Sequence, residues 1–340
     1  MKIDLPLLAP SLAEVPAEAA RLAAVGADGT FTFEGQHDPF FPLVLAAEHT
    51  RLELATAIAI AFPRSPMQLA NVAHDLQVHS GGRFTLGLGS QIKPHIEKRF
   101  SAVWSKPIAR MREMVLALRA IWRCWNENES LDFRGEFYRH TLMTPIFKPP
   151  PSPHGPPRVF LAGVGEPMTR MVGEVADGLF VHPLNSPEFL RATLLPALDA
   201  GLVRGGRTRA DFTVNVQALV VTAFTEAAFT EAQEATRMQL AFYASTPQYR
   251  TVLDAHGWGA VQPELRALSK QGRWLEMGGL VSDAMLDAFA VRCAPRDVPS
   301  RLAVRYAGIA DRVSLMCHAN PHRTHPGEWA EVVQACRATR

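Results

Sequence analysis

Residues able to do chemistry gather in a few short loops of this chain. EGQHDPF places Glu34, Gln36, His37 and Asp38 close together. A histidine beside a carboxylate can take up and release a proton near neutral pH. The same side chains can instead cap a polar loop. LGLGSQ carries Gly87, Gly89, Ser90 and Gln91, and AGVGEP sets Gly163 and Gly165 ahead of a helix starting near Glu166. Small residues let backbone N–H groups approach an anion, and Ser90 adds a hydroxyl donor. LGLGSQ lacks the third glycine of the G-x-G-x-x-G fingerprint. Two glycine turns on one face would together form a phosphate or cofactor pocket.

Other constellations argue against rival chemistries. CHANPHRTHPGEW holds His318, His322 and His325, but Pro321 and Pro326 break any helix that would align them, and no acidic partner is placed beside them. No metal is expected there. A G-x-S-x-G elbow is missing, which leaves a serine nucleophile unsupported. Cys124, Cys293, Cys317 and Cys336 form no C-x-x-C pair and read as free thiols.

The loops need a scaffold, and apolar runs alternate with helical patterns almost throughout. Strands are expected at 2–6, 29–33, 52–61, 84–88, 158–163, 177–183, 213–222 and 311–317. Near-continuous apolar runs of this kind belong to sheets covered on both faces. Helices are expected at 11–25, 42–50, 66–80, 107–125, 166–176 and 187–204. Ser65 and Pro66 suit the start of the third of these, and Gly81-Gly82 its end. Residues 131–144 read as a hairpin turning at Arg134-Gly135, and 145–157 as a proline-rich connector. Eight strands each followed by helical material favour a closed (β/α)8 TIM barrel over an open doubly wound sheet. Residues 225–306 then form a mostly helical insertion between strands 7 and 8, long enough to cover part of the mouth. The reading is α/β, with 1–340 as one domain. In such a barrel the candidate loops all lie at the C-terminal ends of strands, where active sites sit.

Composition narrows the ligand. Lys plus Arg total 35 against 33 Asp plus Glu, a formal charge of +2, so no electrostatic footprint for nucleic acid or an acidic membrane is present. A small organic molecule is the expected partner. The N-terminus lacks a signal-peptide pattern and no run reaches about 18 apolar residues, so a soluble, cytoplasmic protein is expected.

The segment from Leu52 to Gln91, read with its flanks, resembles the luciferase-like monooxygenase superfamily. That superfamily has an acidic-histidine loop, an apolar strand, a P-x-x-x-A helix and SGGR-F-x-LG-x-G. RMREMVLALRAIW, GEFYRHTLMTP, PPRVFLAGVGEPMTRMVGEVADGLFVHP and STPQYRTVLDAHGWG look like its coenzyme F420-dependent oxidoreductase subgroup. The resemblance implies a (β/α)8 barrel, often a homodimer, that holds a flavin-like ring at its C-terminal mouth. It implies a strained, often cis, bulge at Ala57 and Ile58 behind the ring. It implies cofactor-tail contacts from Gly87, Gly89, Ser90 and Gln91, and from Gly163, Val164 and Gly165.

One departure stands out. The superfamily's acidic residue is followed directly by histidine, whereas this chain reads Glu34-Gly35-Gln36-His37-Asp38, so either His37 or Gly35 takes the histidine's place. Glu34, His37 and Asp38 are the catalytic candidates on this basis, and His182 in VHP is a second candidate for holding cofactor or substrate. The expected reaction is hydride transfer between F420 and a small organic substrate. Alternatives are an FMN-dependent monooxygenase on the same fold, a flavin-free binding protein, and a zinc hydrolase using His318 and its neighbours.

Overall fold

The computed structural model describes residues 1–339. Eight parallel strands form its centre: β1 (Lys2–Pro6), β2 (Gly29–Thr32), β3 (Glu53–Thr56), β4 (Phe84–Gly89), β5 (Arg158–Gly163), β6 (Gly178–Val181), β7 (Thr213–Val221) and β8 (Arg312–Met316). Each pairs with the next. The ring closes where Lys2 meets Arg312, and β7 joins β6 at Thr213 and Gly178. This is the expected (β/α)8 barrel.

Helices cover it: α1 (Val15–Ala24), α2 (Phe41–His49), α3 (Pro66–His79), α4 (Pro107–Asn126), α5 (Glu166–Val175) and α6 (Leu195–Arg204). The signals read at α3 have a physical counterpart. Ser65 Oγ accepts the Gln68 N–H at 3.2 Å and Gln68 Oε1 accepts the Ser65 N–H at 3.1 Å, a reciprocal cap. Gly81 (φ 67°) and Gly82 (φ 86°) then take the left-handed conformations that end the helix. Met111, Met114, Leu118, Ile121, Trp122 and Trp125 bury one face of α4, which is core packing.

The 225–306 stretch is mostly helical, beginning with α7 (Glu226–Ala244) and ending with α8 (Val298–Tyr306). It also contains a short strand, Ala290–Arg292, that pairs with Leu219 to Val221 of β7. This strand was not expected, because three residues between helices carry no measurable periodicity. α9 (Pro326–Ala338) completes the chain's described helices. The hairpin is real but turns at Gly135 to Tyr138, since Phe133 pairs with His140 and Arg134 with Arg139. Glu113 on α4 fixes that turn by accepting the N–H groups of Glu136, Phe137 and Tyr138 at 2.9, 2.8 and 2.6 Å.

Polar side chains line the N-terminal end of the barrel. Asp4 accepts from Arg312 and, at 2.9 Å, from Asn215 Nδ2, while Arg312 also pairs with Glu53. Burial works against the Arg312 charge, yet Asp4 and Glu53 hold its pKa above the ordinary value. This end holds a polar, charged cavity of about 480 Å³, whereas the cavity at the C-terminal mouth, where barrels of this kind carry their sites, is larger and mostly apolar. Among the described residues no helix is long and apolar enough to cross a membrane.

Candidate active site

The site is built on an irregularity between β3 and β4. Ala55 pairs with Thr85, and pairing resumes at Ala59 with Leu88, so β3 takes four steps where β4 takes three. The extra residue makes a bulge, and the Ala57–Ile58 peptide inside it is cis. Several of the freed backbone groups find new partners. The Ala57 N–H donates to Thr32 O at 2.6 Å and the Glu34 N–H to Ile58 O at 3.1 Å. Gln217 Nε2 reaches Ala57 O at 3.4 Å. Thr56 bridges the gap by donating to Gly87 O at 2.8 Å and accepting the Gly87 N–H at 2.9 Å.

Above the bulge lies a cavity of about 760 Å³. Phe31, Ala57, Ile58, Phe180 and Met316 give it an apolar floor. Gly89 to Ile92 line one side and Ala162 to Gly165 the next. On these two loops the N–H groups of Ser90, Gln91, Val164 and Gly165 donate to no backbone carbonyl. Opposite stand His182 after β6 and, from the insertion, Gln239, Phe242, Tyr243 and Tyr249.

His182 is the central polar group. Its ring lies between Tyr243 and Tyr249, with centroids 4.6 and 4.3 Å away. Burial pushes the imidazole down to about 3, so it is neutral at physiological pH. Nδ1 accepts the Leu184 N–H at 3.1 Å. The ring proton therefore sits on Nε2, and His182 presents a neutral N–H donor to the cavity. Burial likewise raises Tyr249 to about 12, so its phenol stays protonated.

Among the described residues Glu34 is the one charged residue lining the cavity, and that charge is already engaged. Its carboxylate accepts the Ile60 N–H at 2.7 Å and Arg64 Nη1 at 2.6 Å. The cavity is therefore electrically quiet, with hydrogen-bond donors at fixed places.

The structure gathers Glu34, Ala57, Ile58, Gly89, Ser90, Gln91, Gly163, Val164, Gly165 and His182 around this one cavity. It leaves out three other sequence candidates. His37 is exposed, because Arg64 ties down both Glu34 and Asp38 and the residues between them loop outward. Asp38 accepts the Phe40 N–H at 2.8 Å and serves the loop itself. Gly87 lies beneath the site: a Cβ there would fall 1.8 Å from Thr56 O. Its small size serves strand packing.

Tyr243, Tyr249, Phe242, Gln217 and Gln239 escaped the sequence reading. Tyr249 did lie in a quoted stretch, STPQYR, but nothing in the spacing aimed it at the mouth. The three C-terminal histidines diverge. His318 contacts Gln239 at 2.8 Å, His322 contacts Glu18 at 2.8 Å, and His325 stacks on Phe224.

The chain belongs to the luciferase-like monooxygenase family, whose model matches residues 3–312. An uncharacterized protein of Mycobacterium tuberculosis is 54% identical over 303 residues, spanning 89% of each chain. The 5,10-methylenetetrahydromethanopterin reductase of Archaeoglobus fulgidus is 28% identical over 266 residues, 76% of this chain and 75% of that one. Among solved structures, the coenzyme F420-dependent tetrahydromethanopterin reductase of Methanopyrus kandleri superposes with a TM-score of 0.77. It shares 17% identity and covers 100% of this chain and 97% of its own. The EDTA monooxygenase of Chelativorans sp. BNC1 superposes with a TM-score of 0.73 at 15% identity, covering 100% and 95%. These likenesses establish the fold.

Proposed function

We propose that this protein is an F420-dependent oxidoreductase that moves a hydride between the coenzyme and a carbon centre of a small organic substrate. The observation that carries the reading is His182 in the wall of a mostly apolar cavity at the barrel mouth, with Nδ1 accepting the Leu184 N–H so that the ring proton is held on Nε2. Support comes from the Archaeoglobus reductase, which matches three quarters of the chain.

The residues present fit a flat ring with an anionic tail. A cavity of about 760 Å³ is in the range of small-molecule sites. Ala57, Ile58 and Phe180 offer an apolar surface for a ring, and the unpaired amides of Ser90, Gln91, Val164 and Gly165 suit a phosphate. When bound, the coenzyme supplies two-electron hydride chemistry.

The protein's own work is positioning and electrostatics. His182 Nε2 donates a hydrogen bond to the oxygen or nitrogen where charge develops as the neighbouring carbon gains hydride, and a proton from solvent then completes the alcohol or amine. A neutral imidazole can do this without carrying charge itself, provided its tautomer is held. The Leu184 N–H holds it. Tyr243 and Tyr249 pack the ring on two sides and keep it away from bulk water. Arg64 neutralises Glu34, so no free carboxylate opposes a substrate acquiring negative charge.

The test is anaerobic incubation with reduced F420 and a panel of ketones and imines. Recovery of oxidised F420 absorbance in step with substrate reduction is expected. Oxygen uptake with reduced FMN, and no reaction with reduced F420, would refute the proposal.

A further inference from the structure

We infer that the substrate carries a neutral apolar chain, which leaves the cavity over a shelf formed by Met238, Phe242, Trp274 and Leu275. This rests on the oxidoreductase reading for what reacts inside, and on surface observations for the chain.

The mouth itself is apolar. Phe33, Ile108 and Phe242 line the cavity and are also 47%, 37% and 50% exposed. Large apolar side chains that face both a cavity and solvent expect something apolar between them. On the insertion side this surface continues outward. Met238 and Phe242 lie one turn apart on one face of α7, and the Phe242 ring centroid is 6.2 Å from that of Trp274. Trp274 is 47% exposed and Leu275 81%. The short helix Trp274–Gly278 packs on α7 closely enough that a Cβ at Gly278 would lie 3.4 Å from Met238 Cγ.

Two features favour a substrate chain over another macromolecule. The shelf is continuous with the cavity, because the Phe242 ring belongs to both. The charges beside it are also paired: Arg237 with Asp283 and Glu234, and Arg273 with Glu276. Such pairs offer little to select an acidic membrane or a charged partner, so a neutral chain is the matching ligand.

The experiment titrates the full-length protein, without coenzyme, with methyl ketones from 2-pentanone to 2-undecanone by calorimetry. Affinity should rise roughly three- to fourfold for each methylene that becomes buried once the chain reaches Phe242. A variant combining Trp274→Ser and Leu275→Ser alters only exposed side chains outside the cavity wall. It should lose about tenfold or more in affinity for 2-undecanone while binding 2-pentanone as before. Leu275→Lys alone should shift in the same direction. Equal chain-length dependence in wild type and variants, or none in wild type, would overturn the inference. So would a halved sedimentation mass in the variants, which would assign the shelf to contact between copies. A parallel F420 titration separates the two claims: failure to bind F420 sinks the oxidoreductase reading and leaves the chain-length result standing.

Discussion

Acid should expose the buried state of His182 through stability alone. In the unfolded chain its imidazole titrates at the ordinary 6.5, whereas in the native protein burial holds it at about 3. Between these values the unfolded state binds the extra proton, so stability falls as pH drops through 6.5 and the loss levels off only near 3. At about 1.36 kcal/mol per unit, acidifying from about pH 7.5 to about pH 5 should remove about 2 kcal/mol through this residue. His182→Asn deletes the titrating ring but keeps an acceptor for the Leu184 N–H. His74, His140, His318 and His322 also titrate low because they are buried. They are common to both proteins and cancel. Urea unfolding across this range should therefore give a shallower pH dependence in the variant, with the two curves converging toward acid by about 2 kcal/mol. Parallel curves would mean that native His182 titrates normally, and the neutral-donor account would fall with them.

Two substitutions test the scaffold beneath the site. Gly87→Ala drives a Cβ into the Thr56 carbonyl, a backbone atom that cannot swing aside, and should cost about 3 kcal/mol or more. For a chain of this length that is a fall of about 4 °C in melting temperature by calorimetry; a wild-type melting temperature would show that the strands spread easily. Arg64→Met strands the buried Glu34 carboxylate with only the Ile60 N–H. It should destabilise the protein by about 3 kcal/mol near neutral pH, with much of that recovered by adding Glu34→Gln, as a double-mutant cycle in urea would record.

The barrel was legible because its signals are local and repeated. Runs such as TVNVQALVV can only be buried strands, and Ser65, Pro66 and Gly81-Gly82 mark a helix by chemistry that needs no tertiary partner. The bulge at Ala57 and Ile58 was legible only by resemblance, since nothing in ATAIAIAF distinguishes it from an ordinary strand. Gly87 and Gly89 show the limit. Both precede the same loop, yet one makes room for the Thr56 backbone and the other lies at the cavity, a difference set by strand register. His37 looked catalytic because of its neighbours, but the Arg64 clamp that turns it outward comes from 26 residues beyond Asp38. Tyr243 and Tyr249 belong to an insertion whose packing is entirely tertiary, so no periodicity could aim them at His182.

The central claim is that this mouth is shaped for a deazaflavin and uses His182 as its neutral donor. Equilibrium titration of the purified protein with oxidised F420 and, separately, with FMN, each followed by fluorescence, addresses it most directly. The account predicts saturable binding of one F420 per chain and much weaker binding of FMN. Tight FMN binding with no response to F420 would contradict it.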